Sequence, residues 1–216
     1  MSIEQKPDSF FSSSELELLR TKSSLRGVLM VAHCWGVIFC TWLIVANWTN
    51  PLTVLVGIMV IGTRQLGLFV LAHEAAHFNL SSNRKLNDWL MQWPLNRVLL
   101  GGTGKGYRKY HVDHHAFTQQ ENDPDLVLSK PFPIPAKSLT RKILRDLTGR
   151  TGMKLYGATI REAFSGENFS ERFKAGLRRL GPNLIINLGF FVGFAFFEVW
   201  YLYFLLWWVP ALTWNH

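Results

Sequence analysis

The chain has 216 residues, 48% of them hydrophobic and only 18% charged, with a formal charge of +8. Its size allows one large domain or a small membrane protein, and the gathering of apolar residues into long, nearly uncharged runs decides for the second. The basic residues flank those runs, which removes nucleic acid as their reason and leaves membrane surfaces.

Residues 1–26 are polar, and Ser12-Ser13-Ser14 ahead of Glu15-Leu16-Glu17-Leu18-Leu19 predicts a short capped helix. No small-residue cleavage site follows a short apolar core, so the first span stays as an anchor. Segment 27–47 carries no charge and is as long as a bilayer-crossing helix, about 20 residues. Segment 51–72 is similar but contains Arg64 and Gln65. Asn50-Pro51 marks a turn between them, giving a hairpin over 27–77. The sequon Asn47-Trp48-Thr49 sits too close to the membrane to be read as a glycosylation site. Cys34 and Cys40 do not share a helix face and read as small hydrophobes, neither a disulfide nor a metal pair. An ionisable group at the depth of Arg64 is expected to face the bundle interior.

Four Lys and Arg precede residue 27, eighteen lie between 84 and 179, and the link between the first two spans has none. This asymmetry places the 1–26 tail and the 78–181 segment together on the cytoplasmic side.

The second span runs into His73-Glu74-Ala75-Ala76-His77. In a helix of about 3.6 residues per turn these histidines stand about 40° apart on one face, close enough to reach a single metal. The same five residues match HExxH, the signature in which two histidines bind zinc and the glutamate is general base. A larger histidine cluster downstream has no role in a single-zinc protease. That cluster is His111-Val112-Asp113-His114-His115. There His111 shares a face with both neighbours, while His114 and His115 diverge by about 100°, which would suit ligands to two different metal ions.

Between the clusters, 87–100 mixes apolar and polar positions, with Trp89 and Trp93 on one face. It predicts an interfacial helix, the alternative being an amphipathic core helix. The glycine-rich run 101–106 lacks the order of a phosphate-binding loop and reads as a flexible hinge delivering the second cluster to the first. Segment 121–135 is turn-rich, then extended. From 136 to 181 a basic amphipathic stretch predicts helices on the headgroups. Gly181-Pro182 marks re-entry into the membrane, and the 32 residues of 183–214 would overrun a core roughly 30 Å thick as one helix. A two-helix hairpin turning near Glu198–Tyr203 is the better reading, a single tilted helix the alternative.

The sequence resembles the integral-membrane fatty acid desaturases and their hydroxylase relatives. The resemblance rests on the HxxxH box at 73–77, the HxxHH box at 111–115, Asn87 and Trp89 between them, Tyr107-Arg108 before the second box, and Asp123-Pro124-Asp125 behind it. It implies an all-α integral membrane fold of about four transmembrane helices in two hairpins, with a cytosolic helical cap over a di-iron site. His73, His77, His111, His114 and His115 would be metal ligands. Glu74, Asp113, Asp123 and Asp125 would hold their second nitrogens. Two irons and O2 would desaturate an acyl chain carried as acyl lipid, acyl-CoA or acyl carrier protein, with electrons from a ferredoxin or cytochrome b5. A hydroxylase or ketolase on the same boxes, and an inactive metal-binding fragment, are the alternatives. The family's third HxxHH box is missing, so the chain is expected to be an N-terminal portion of a longer protein, its second hairpin at 182–216. The expected location is a bacterial inner membrane ahead of the endoplasmic reticulum, with the active site facing the cytoplasm.

Overall fold

A computed structural model describes residues 10–99 and 102–214. The first residues of the tail, 1–9, part of the glycine run and His216 therefore lie outside the described residues. Every described element is helical, in agreement with the expected all-α fold.

Helix α1 (Ser13–Arg20) opens on the predicted cap: the Ser12 hydroxyl accepts from Glu15 N–H, and the Glu15 carboxylate accepts from Ser12 N–H at 2.8 Å. Helices α2 (Ser24–Asn47) and α3 (Pro51–Ala76) are the first hairpin. Asn50 caps α3 by accepting from Leu52 and Thr53 N–H, and Pro51 fills the first helical position, where its missing N–H costs nothing. At the other end of the hairpin Gly27 lies against the loop after α3. A Cβ there would stand 1.8 Å from the Leu80 carbonyl oxygen. Ser24 Oγ adds contacts of 2.8 Å to the hydroxyls of Ser81 and Ser82.

Helix α4 (Arg84–Leu90) continues into a π-helical turn, Met91–Asn96, around Pro94. Trp89 and Trp93 are exposed on one side, while Asn87, Leu90, Met91 and Leu95 are buried on the other. The segment therefore has both the outward aromatic face of an interfacial helix and a core face. Helix α5 (Gly104–Phe117) carries the second cluster. Its start, within the glycine run, is a built cap. Thr103 Oγ1 accepts from Gly106 N–H, and Gln92 Oε1 accepts from Gly104 N–H at 2.8 Å. Short α6 (Leu126–Ser129) and the amphipathic α7 (Ala136–Leu147) and α8 (Arg150–Ala163) follow.

Helix α9 (Phe169–Phe196) runs unbroken through Gly181-Pro182, the predicted re-entry point. A proline inside a helix frees carbonyls of the preceding turn. Here the Arg97 guanidinium donates to the Arg179 carbonyl at 2.5 Å and to Asn183 Oδ1 at 2.7 Å, tying α9 on either side of the proline to the segment after α4. The predicted turn is present, centred on Glu198 with φ of 59°. The return leg is short and broken into α10 (Trp200–Tyr203), a π-helical turn (Phe204–Trp208) and α11 (Val209–Thr213). Three described helices, α2, α3 and α9, are long and apolar enough to cross a membrane, and the fourth leg of the expected four is not.

Only 28%, 33% and 17% of the most apolar windows of those three helices are buried within the protein. Apolar surface left uncovered by protein on that scale is surface for lipid. What the bundle does bury is largely aromatic. Trp42 and Phe190 meet Trp207 with ring centroids 5.5 and 5.4 Å apart, joining α2, α9 and the return leg. Amides stitch the same interior: Asn187 Nδ2 donates to the Val98 carbonyl, and its Oδ1 accepts from Tyr203 Oη and Trp207 Nε1, each at 3.1 Å.

The interior polar group of α3 is Gln65 and not Arg64. Gln65 shares its face with Ile61, Leu68 and Ala72, is fully buried, and donates to the Trp207 carbonyl at 2.8 Å. One residue back is about 100° around the helix, which turns Arg64 out into the groove between α2 and α3. Both cysteines are free thiols, Cys34 buried and Cys40 exposed.

Candidate metal centre

The first cluster sits where α3 ends. His77 is the C-cap residue and Phe78 takes φ of 57°, so Phe78 N–H reaches the Ala75 carbonyl and Asn79 N–H the Glu74 carbonyl at 2.9 Å. A bulky residue in the left-handed region is uncommon. Two cations cover the Phe78 ring, Arg108 at 3.8 Å and Arg84 at 4.8 Å from its centroid. Arg108 also donates to the carbonyls of Ala75 and Ala76, both at 3.0 Å, and to Asp88 Oδ1 at 2.6 Å. Asn87 Nδ2 adds a second donor to Ala75 at 2.8 Å. These two side chains bond to the last carbonyls of α3, Asn87 from α4 and Arg108 from α5, and tie both helices across its end. Both positions belong to the desaturase-like pattern, yet nothing local in the sequence announced this duty.

Locked in this way, α3 and α5 aim their histidines at one another. His73, His77, His111 and His115 each offer a ring nitrogen, and these four atoms lie within 4.8 Å of one another. His111 is central and buried, its Nε2 standing 2.8 Å from that of His77 and 3.0 Å from that of His115. Tyr107 stacks on the His111 ring, nearly parallel at 11°. Loss of water and the surrounding imidazoles push His111 down to about 4, and burial likewise lowers His77. Neutral imidazole is the form that binds a transition metal, and the donor set fits a metal ion by number and type.

The fifth histidine is placed differently. His114 turns its Nδ1 to Asp123 Oδ1 at 2.7 Å, with Asp125 Oδ2 at 3.5 Å. Asp123 is itself fixed by N–H groups of Gln119 and Asp125, both at 2.8 Å. The hydrogen bond to Asp123 raises the His114 pKa. His114 thus stands outside the group of four, in keeping with the divergence of the two neighbouring positions. Of the four acids expected behind the histidines, three lie against one of them. Glu74 Oε1 meets His73 Nδ1 at 3.0 Å, and Asp123 and Asp125 serve His114. Asp113 does not: it pairs with Lys109 at 3.8 Å, one turn back on the outer face of α5. Tyr110, which the sequence did not single out, braces Asp125 through its hydroxyl at 2.5 Å. Glu74 Oε1 is engaged with His73 Nδ1, and its Oε2 stands 3.4 Å from Asn79 Nδ2.

The description of the fatty acid desaturases matches residues 48–216, well over half of the chain and both histidine boxes. The chain belongs to the fatty acid desaturase family. No solved structure matches it. Membership makes this a desaturase-type membrane protein of oxidoreductase character, and the four converging imidazoles give it a site compatible with a metal.

Proposed function

We propose that the protein is a membrane fatty acid desaturase that introduces a double bond into an acyl chain with O2 and iron. The observation that carries this reading is the meeting of four imidazoles from two helices at the end of a membrane-length span, inside the matched family region. His73, His77, His111 and His115 would hold one iron. His114, with its Nδ1 committed to Asp123, would offer its other nitrogen to a second, which needs further donors beyond these five. Iron with open positions supplies dioxygen activation, the chemistry needed to take hydrogen from an unactivated methylene.

The protein's own part is positioning. Glu74 and Asp123 fix the ring orientations of His73 and His114 by taking their outer N–H groups, and this keeps the inner nitrogens as acceptors. Arg108 holds the two ligand helices in register. The acyl chain would arrive from the bilayer, carried as acyl lipid, acyl-CoA or acyl carrier protein. Electrons would come from a ferredoxin or cytochrome b5, and the site would face the cytoplasm of a bacterial inner membrane, the side that carries the basic segment.

The test is the fatty acid profile of a host expressing the chain, read by mass spectrometry. Desaturation predicts an acyl product lighter by two hydrogens that disappears with His111→Ala. A product heavier by one oxygen would reassign the chain to hydroxylation, and an unchanged profile would remove the activity.

A further inference from the structure

A second site lies on the first hairpin, away from the histidines. A groove of about 750 Å³ runs between α2 and α3. Its walls are aliphatic, among them Leu29, Met30, Leu66 and Val70, while its basic groups are Arg26, His33 and Arg64 and no carboxylate among the described residues lines it. Arg26 is exposed in the first turn of α2. Arg64 is deeper, level with Cys34, whose thiol donates to the Arg64 carbonyl at 3.1 Å. At about 1.5 Å per residue, Arg64 stands about 18 Å along α3 from Ala76, inside a hydrocarbon core roughly 30 Å thick. Among the described residues its guanidinium has no hydrogen bond or ion pair.

A cation at such depth is retained where a counter-charge meets it, and a long side chain can reach toward the interface to do so. Here the described residues supply three basic groups and no acid, on a helix pair whose outer apolar surface is largely uncovered. The missing partner must be anionic and must carry aliphatic chains. We propose that this groove binds one anionic phospholipid, its phosphodiester neutralising Arg26 and Arg64 with His33 as a further donor, and an acyl chain lying along Met30 and Val70. The proposal rests on the hairpin lying in a bilayer and is independent of the metal and of desaturation.

The experiment uses the full chain, delipidated in detergent and given dioleoyl phosphatidylglycerol or dioleoyl phosphatidylcholine, with bound lipid counted by native mass spectrometry. One phosphatidylglycerol should be retained at least tenfold more strongly than phosphatidylcholine. The double variant R26Q/R64Q should lose that preference, while Arg64→Lys keeps most of it, because the charge and not the fork geometry is what the phosphodiester needs. Helicity and cobalt uptake by the four histidines should be unchanged in the variants. Should the double variant fail to fold, Arg26→Gln alone, in an exposed first turn, must weaken the preference. Equal retention of the two lipids, a preference surviving R26Q/R64Q, or displacement of phosphatidylglycerol by equimolar oleate would overturn the proposal.

Discussion

The Nε2 atoms of His77 and His111 lie 2.8 Å apart although 34 positions separate them in the chain. Two neutral ring nitrogens gain little from such closeness by themselves, since at most one can donate. They gain a great deal when a cation stands between them. His111→Ala should therefore cost more metal than any other single change, because His111 also faces His73 and His115. Cobalt titration of the purified chain, followed by its ligand-field absorption, should show at least a hundredfold weaker uptake in His111→Ala and a smaller loss in His114→Ala. Equal losses in both would contradict the group of four.

The same burial sets a pH dependence. In the unfolded chain His111 titrates near 6.5, whereas in the fold it is held at about 4, and His77 is lowered too. The folded, metal-free protein then binds fewer protons than the unfolded one, so stability is lost as pH falls from about 6.5 toward about 4. His114 acts in the opposite sense, its contribution complete below 6.5 and lost as pH rises through its raised folded value. Denaturant midpoints of the metal-free protein should fall across pH 6.5 to 4, less steeply in His111→Gln. A flat profile would contradict the buried, neutral His111.

Arg108 offers a separate handle on the centre. It touches no ligand nitrogen, yet it joins α5 to the end of α3 through the Ala75 and Ala76 carbonyls and Asp88. Arg108→Ala is expected to weaken cobalt uptake about tenfold, the scale on which outer-shell changes act. Arg108→Lys should recover little, because a single ammonium cannot reproduce the fork that meets two carbonyls and a carboxylate. Full recovery by lysine would show that charge alone is needed.

The bundle itself hangs on Asn187. Asn187→Leu removes two donors, takes the acceptor of the Tyr203 hydroxyl, which still accepts from Trp208, and strands the Trp207 indole N–H in the interior, a cost of about 3 kcal/mol at 1–3 kcal/mol for each buried group left without its partner. Unfolding in mixed micelles should report it, with metal uptake retained by the fraction still folded.

Gly27 tests the seat of α2 beneath the site. Gly27→Ala would place a methyl 1.8 Å from the backbone oxygen of Leu80, an obstacle that no side-chain rotation can relieve. The expected loss is about 3 kcal/mol, the upper range for overpacking. Gly36→Ala, where a methyl meets nothing within 4 Å, is the control and should be nearly silent.

Much of this was legible because it is local. The first two spans, the caps at Ser12 and Asn50, the one-turn spacing of His73 and His77, and the divergence of His114 from His115 follow from helix period and hydrogen-bond chemistry within a few residues. Composition and motif were enough to reach the desaturase family, because histidine boxes beside long apolar runs carry their meaning in their spacing.

What the sequence left open are questions of facing and of register between distant segments. Adjacent helix positions differ by about 100°, so nothing but the packing of α3 against the return leg decided that Gln65, and not Arg64, would point inward. Gly181-Pro182 read as the point of re-entry into the membrane, and the sequence did not show that one helix, α9, runs through it. Arg97, more than eighty positions away, bonds to α9 on either side of it. Asp113 and Asp123 read alike as acids near histidines, and only the fold of the 118–125 turn brought Asp123 back to His114 while Asp113 stayed on the outer face. The sequence determined which residues could bind a metal. The tertiary structure decided which four of them meet, since convergence depends on where α5 crosses α3, and that is set by side chains such as Arg108 and Asn87 bonding to backbone that no local pattern reveals.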